Sequence, residues 1–98
     1  MLQEDKINKI RSFFEKQPIV RAWIFGSYAR GTQRPDSDVD ILVDFDQNNY
    51  PSLLSHASMI CKLEDLLELK IDLVPNEQVF PFIRKNIDKD KILIYERS

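Results

Sequence analysis

The sequence predicts an α/β (α+β) fold, a small mixed β-sheet of about four strands with helices packed on it. Apolar residues recur at helical spacing in two long segments, and short runs rich in Val, Ile and aromatic residues alternate with those segments. Helical and extended segments therefore follow one another in the order α-β-α-β-α-β-α-β. This order suits a small sheet covered by helices.

In the first half of the chain, a helix is predicted over residues 3–16 from apolar residues on one helical face, and Pro18 ends it. A strand follows over residues 20–25, and its sequence is too apolar for an exposed edge. A short helical turn over residues 27–31 leads through polar turn residues to a second strand over residues 39–45.

In the second half, a long helix is predicted from residue 51 to about residue 69. Its apolar stripe has helical spacing and consists of His56, Met59, Ile60, Leu63, Leu66 and Leu67. A third strand is predicted over residues 70–74. Asn76 is the predicted cap of a helix over residues 78–88, and a final strand covers residues 92–95.

Composition narrows the class of protein. A chain of 98 residues predicts one domain over residues 1–98. The net charge is −2 without a basic stripe, so we expect no direct binding of nucleic acid. No apolar run approaches the roughly 18 residues of a membrane helix, and we expect no membrane association and no signal peptide. The single cysteine, Cys61, fits a reducing cytoplasm.

Two motifs close together in the sequence carry the candidate chemistry. Asp38 and Asp40 open the second strand, where alternate side chains share one face of a sheet. Like charges on one face repel unless a cation lies between them, and oxygen ligands favour a hard divalent ion such as Mg²⁺. Gly26 and Ser27 form a turn that can hold phosphates against backbone N–H groups. Together the two motifs suggest chemistry on a nucleoside triphosphate.

Two simpler explanations compete for the acidic residues. Counting from Asp36, a calcium loop of the EF-hand kind needs Gly at its sixth position and Glu at its twelfth, but these positions hold Ile41 and Gln47. The other explanation is a solvated acidic strand end beside an ordinary turn. It requires the Gly-Ser turn, Arg30 and a further strand carboxylate, Asp72, all to be coincidental.

At these residues the sequence resembles the nucleotidyltransferase superfamily that includes DNA polymerase beta. Its motif is Gly-Ser, a helical turn, Asp-x-Asp on the next strand and a third carboxylate on a later strand. The matching residues are Gly26, Ser27, Arg30, Gly31, Ser37, Asp38, Asp40 and Asp72. The resemblance implies a nucleotidyltransferase fold and fixes a topology that periodicity alone would leave open.

The resemblance also implies roles for these residues. Asp38, Asp40 and Asp72 would be catalytic and would hold Mg²⁺ with ATP as the substrate. The predicted nucleotide-binding residues are Gly26, Ser27, Arg30 and Ser37. Arg30 would either contact phosphates or anchor the turn to an acidic neighbour. Asp72 would bind a second metal, orient the acceptor hydroxyl or take its proton.

In length the chain resembles the minimal nucleotidyltransferases (MNT), which pair with helical HEPN proteins as antitoxin and toxin. This implies transfer of AMP to a tyrosine of a HEPN toxin, with the acceptor carried by another polypeptide. Two alternatives remain open: an antitoxin that acts by binding alone, and a small-molecule nucleotidyltransferase that works as an oligomer.

Three further residues have simpler interpretations. His56 on an apolar helical stripe indicates packing or partner contact, Tyr28 indicates packing beside the turn, and Cys61 behaves as a small apolar residue. Together with Cys61, Leu54 and Leu69 widen the helical stripe beyond the needs of one face. We therefore expect a hetero- or homo-oligomer.

Overall fold

A computed structural model describes residues 2–98, which form four strands and four α-helices. In chain order these are α1 (Glu4–Phe14), β1 (Ile19–Phe25), α2 (Gly26–Arg30), β2 (Val39–Phe45), α3 (Leu53–Leu67), β3 (Ile71–Pro75), α4 (Pro81–Asp90) and β4 (Ile92–Glu96). Two 3₁₀ turns lie at Gln47–Asn49 and Asn76–Gln78. No helix within residues 2–98 combines the length and the apolar character needed to cross a membrane.

The four strands form one mixed sheet in the order β3-β2-β1-β4. β2 and β3 run parallel, whereas β1 is antiparallel to both β2 and β4. The predicted small mixed sheet is confirmed. The position of β1 between two other strands explains why its sequence is so apolar, because both of its edges are paired and neither is open to solvent.

The larger part of the core lies on the sheet face covered by α1 and α3. Alternate residues of β2 point into it, and they pack with side chains such as Phe14 of α1 and Leu63 of α3. On the opposite face, Leu42 packs with Val79 and with Ile87 of α4. The sheet is thus covered fully on one face and partly on the other.

The predicted elements all occur, and β2 has the predicted bounds. The predicted cap of the last helix is wrong. Asn76 begins a 3₁₀ turn, and α4 starts only at Pro81. Proline favours the first position of a helix because its missing N–H would have no partner there. The Asn76 side chain instead donates to Asp44 (2.9 Å) and accepts from Arg84 (3.0 Å).

The predicted stripe on α3 is only partly buried. Met59, Leu63 and Leu67 of this stripe contact the core, whereas Leu66 is 40% exposed. Outside the stripe, Leu53 and Leu54 in the first turn of the helix are 89% and 83% exposed. Ser52 caps the helix by accepting a hydrogen bond from the Ser55 N–H. The apolar character of α3 therefore exceeds what the core of this chain uses.

Candidate active site

The centre of the candidate site is a pair of carboxylates on the parallel strands β2 and β3. Asp40 and Asp72 are direct partners in the strand register. Each lies between two buried residues that face α1 and α3, so both carboxylates project from the opposite face of the sheet. Residues far apart in the sequence are therefore neighbours in space.

Asp40 lies in the most perturbed electrostatic environment of the site. Partial burial, followed by the negative charges of Asp72 and Asp38, raises the pKa of Asp40 to about 6, while Arg30 acts in the opposite direction. Asp38 is exposed and lies one residue before β2 begins. The site therefore concentrates negative charge and leaves much of it uncompensated.

Gly26 lies at the end of β1, next to the cluster of carboxylates. Phe25 pairs with Asp40 across the antiparallel strands, so the next residue, Gly26, sits beside the Asp40 carboxylate. Its φ of +71° favours glycine. A Cβ at this position would lie 3.2 Å from Asp40 Cγ and would overlap Asp40 Oδ2. The missing side chain therefore makes room for Asp40 itself, in addition to any phosphate.

The turn continues through α2 to a second glycine. Ser27 follows Gly26 at the start of this five-residue helix and is partly exposed. Gly31 ends the helix with a φ of +75°, and its N–H donates to the Ser27 carbonyl. Two glycines with positive φ thus bound a tight helical turn between β1 and the loop that leads to β2.

Arg30 links this turn to α4. Its Nη1 lies 3.4 Å from Asp90 Oδ2, and both side chains are partly open to solvent. Of the two roles predicted for Arg30, the structure contains the anchoring contact to an acidic neighbour. Its charge also acts on Asp40. A phosphate-binding role remains a prediction.

Ser37 is engaged locally. Its Oγ accepts a hydrogen bond from the Arg34 N–H at 2.8 Å, and the Ser37 N–H donates to the Arg34 carbonyl. These two bonds close the turn before β2. They give Ser37 a structural role that the sequence did not predict, and its predicted role in nucleotide binding stays a prediction.

The donor set fits a hard divalent cation, because carboxylate oxygens are the ligands that Mg²⁺ prefers. As they stand, the side chains of residues 2–98 form no closed group of three or more Asp, Glu, His or Cys ligands around one point. Mg²⁺ is commonly held by one or two carboxylates together with substrate phosphates. Asp40 with either neighbouring carboxylate would suffice for such a site.

Tyr28 and His56, which were predicted to be packing residues, do pack against other parts of the chain. Tyr28 is 8% exposed and belongs to the main core. A ring nitrogen of His56 lies 2.8 Å from the Leu73 carbonyl oxygen, and the ring meets Phe45 edge-on. Neither residue belongs to the carboxylate cluster.

Sequence reasoning missed the contribution of α4. Asp90 contacts Arg30, and Ile83 and Asn86 border a groove beside Gly26. Larger grooves, such as one of about 460 Å³ near Tyr50, lie away from the carboxylates. No local signal marks the α4 residues, because they reach the site only through the packing of α4 on the sheet.

A mixed four-stranded sheet with paired strand carboxylates and a Gly-Ser turn at the same end of the sheet defines the class of nucleotidyltransferases. Residues 8–98 match the family described as polymerase beta, nucleotidyltransferase. The chain belongs to this family.

Curated relatives agree with the family. The protein adenylyltransferase MntA of Thermococcus cleftensis is 42% identical over 71 residues, which are 72% of this chain and 70% of the relative. The provisionally named protein adenylyltransferase MJ1379 of Methanocaldococcus jannaschii is 42% identical over 81 residues, 82% of this chain and 81% of the relative.

Solved structures share the fold. One, provisionally described as a minimal nucleotidyltransferase, is 34% identical with a TM-score of 0.76 and aligns over 90% of this chain and 88% of its own. A toxin–antitoxin with AMP-PNP has a TM-score of 0.79 at 22% identity, over 94% of this chain and 74% of the other. A complex of a tri-AMPylated Shewanella oneidensis HEPN toxin with an MNT antitoxin has a TM-score of 0.75 at 18% identity, and the alignment covers 98% of this chain and 74% of the other. The predicted resemblance to minimal nucleotidyltransferases is confirmed.

Proposed function

We propose that this chain is a protein adenylyltransferase that moves AMP from ATP to a tyrosine hydroxyl of a HEPN-type toxin and so acts as its antitoxin. The observation that carries the proposal is the direct pairing of Asp40 with Asp72 beside Gly26, in a chain of the nucleotidyltransferase family. The name of the Thermococcus cleftensis relative supports a protein as the acceptor of AMP, and the HEPN complex among the solved structures supports a HEPN toxin as that protein.

In the proposed reaction, the acceptor oxygen attacks the α-phosphorus of ATP. A bond forms between them, the bond from that phosphorus to the oxygen bridging to the β-phosphate breaks, and pyrophosphate leaves. Mg²⁺, when bound, would neutralise the charge on the phosphate oxygens and on the leaving group. Most of the rate acceleration in such transfers comes from positioning and charge neutralisation.

The chain's own residues have distinct proposed roles. Asp38 and Asp40 would hold the cation. Burial first, and then the negative charges of Asp72 and Asp38, raise the pKa of Asp40, and a cation would relieve the repulsion between these carboxylates. Asp72 is exposed and can reach an incoming hydroxyl, which it would orient or deprotonate. Ser27 and the backbone of Gly26 would hold the phosphates.

The partner and setting remain part of the proposal. A HEPN protein would bring the acceptor tyrosine to the exposed carboxylate face of the sheet. The family match over residues 8–98 supports the view that residues 1–98 make up one nucleotidyltransferase domain. The free, exposed Cys61 is compatible with the predicted cytoplasmic location.

The test is the intact mass of a HEPN protein encoded beside this chain, after incubation with the chain, ATP and Mg²⁺. We expect mass increments of one or more AMP groups, and loss of the increments when the acceptor tyrosine is replaced by Phe. Loss of HEPN toxicity should accompany the modification.

Two outcomes would select an alternative. Neutralisation of the toxin without any change in its mass would favour an antitoxin that acts by binding alone. Consumption of ATP with a small hydroxyl compound, and no modification of the HEPN protein, would favour a small-molecule nucleotidyltransferase.

A further inference from the structure

A groove of about 220 Å³ lies between α2 and α4, directly beside the candidate active site. It is lined by Phe25, Gly26, Arg30, Ile83, Asn86 and Ile87. Gly26 is the link between the two places, because it packs on Asp40 and also borders the groove. A molecule whose phosphates lie at the Gly26–Ser27 turn could therefore extend its remaining part into the groove.

The size and lining of the groove suit a nucleobase. Sites for drug-sized ligands typically enclose about 300–1,000 Å³, so this smaller groove suits one fragment of a nucleotide, with the phosphates outside it. Of the lining residues, Phe25, Ile83 and Ile87 are apolar, and Phe25 is also aromatic. Apolar and aromatic walls favour a flat heterocycle over a hydrated phosphate.

Two polar side chains line the groove: Arg30, which contacts Asp90, and Asn86, which can recognise the base. Asn86 lies on the same face of α4 as Ile83 and Asp90, at helical spacings of three and four residues, and this face is turned towards α2 by the Arg30–Asp90 contact. Its side chain is exposed and makes no hydrogen bond to another residue of the described chain 2–98. An asparagine amide can donate to N7 and accept from the N6 amino group of adenine.

We propose that the groove between α2 and α4 binds the adenine base of the nucleotide substrate, with Asn86 as the residue that determines base specificity. The inference rests on the proposed nucleotidyltransferase function and adds the place where the base binds and the residue that recognises it. Guanine presents two acceptors, O6 and N7, along the same edge, so the carbonyl of Asn86 would meet an acceptor instead of a donor. The groove therefore selects ATP over GTP.

The test is isothermal titration of the purified chain, with Mg²⁺, using the non-hydrolysable analogues AMP-PNP and GMP-PNP. We expect the unmodified chain to prefer the adenine analogue by roughly tenfold or more, the discrimination typical of a bidentate amide contact. Asn86→Leu keeps the volume and removes the hydrogen bonds, so it should reduce the preference to about twofold or less by the same arithmetic.

Lys85→Leu is the matched control, because Lys85 is exposed on α4 next to Asn86 and does not line the groove. It should keep the preference. Ile83→Ala should weaken the binding of both analogues by the same factor, since it removes an apolar wall of the groove. Unfolding temperatures of the three variants verify that each is folded.

The proposal is overturned if the unmodified chain binds the two analogues equally or not at all, or if Asn86→Leu keeps the adenine preference. Failure of the proposed function is distinct from this. If the HEPN protein is never modified but the adenine preference depends on Asn86, the groove assignment stands and the acceptor is wrong. If modification occurs and Asn86 has no effect, the acceptor stands and the groove assignment is wrong.

Discussion

The Cα of Gly26 packs against the carboxylate of Asp40 so closely that position 26 has no room for a side chain. Gly26 directly follows β1, which is antiparallel to the strand of Asp40, and the contact follows from the pairing of Phe25 with Asp40. The glycine of the turn and the first strand carboxylate are therefore one structural unit, in which either residue positions the other.

Gly26→Ala should abolish transfer and destabilise the protein, because its methyl group would displace the Asp40 carboxylate in addition to straining a residue with φ of +71°. Gly31→Ala is the matched control: it has similar strain, with φ of +75°, but nothing lies within 4 Å of the added Cβ. We expect a cost of about 1–2 kcal/mol for Gly31→Ala, the strain of the left-handed region alone, and a larger loss for Gly26→Ala. Thermal unfolding and the mass assay measure both effects. Equal loss of stability and activity in the two variants would contradict the Gly26–Asp40 contact.

Asp40→Asn should lower the transfer rate by at least about 100-fold, because it removes a charged ligand from the proposed cation site. Asp72→Asn should act in the same direction. Asp36→Asn provides the control, since Asp36 is an exposed aspartate of the same acidic stretch and has no role in the proposed site. Rates are measured by AMP incorporation into the HEPN protein. An active Asp40→Asn enzyme would rule out the site assignment.

The stability of the metal-free protein should depend on pH through Asp40. Its pKa is raised from 3.8 to about 6 in the folded state, so folding favours the protonated form. The resulting stabilisation is complete below about pH 3.8 and is lost as the pH rises through 6. Since the carboxylate is half-exposed and screened by solvent, we expect a loss on the order of 1 kcal/mol.

The measurement is the difference in unfolding free energy between the unmodified chain and Asp40→Asn, followed from pH 4 to pH 8 without metal. The difference cancels the other titrating groups. Asp40→Asn should become the relatively more stable protein as the pH rises. A difference that is constant over this range would mean that Asp40 titrates normally.

Removal of the Arg30 charge should raise the pKa of Asp40 further, because Arg30 acts on Asp40 against burial and the two other carboxylates. Carbon-detected NMR titration of the Asp40 carboxyl in Arg30→Met measures this shift. Arg21→Met is the control, since Arg21 pairs with Asp44 and Glu96. A pKa of Asp40 that falls or stays constant in Arg30→Met would show that the Arg30 charge does not reach the site.

The chain should purify as a complex or a homo-oligomer. Leu53 and Leu54 on α3 are 89% and 83% exposed, and Phe80 and Phe82 at the start of α4 stack on each other while 64% and 80% exposed. Exposed apolar side chains in this number mark interaction surfaces, and a specific interface buries roughly 1,200 Å² or more. Light scattering measures the assembly, and Leu53→Gln with Leu54→Gln should weaken it. A monomer at high concentration that does not co-purify with the HEPN protein would contradict the prediction.

Local structure was predictable because it depends on neighbours in the sequence. The apolar run between two polar turns predicted the correct bounds of β2, and the apolar sequence of β1 indicated an interior strand. The cap of α4 was not predictable in this way. Asn76 has the side chain of a good cap, but that side chain contacts Asp44, which comes from a strand distant in the sequence, and Arg84 inside α4.

By itself, the sequence determined the element order, the family resemblance and the candidate carboxylates, because motif spacing and periodicity are local properties of the chain. Only the tertiary structure decided that Asp40 and Asp72 are register partners, that Asp90 holds Arg30, and that α4 forms a groove beside Gly26. These relationships depend on how strands pair and on where a helix packs. Such long-range contacts are set by the packing of the whole core, which no local pattern in the sequence records.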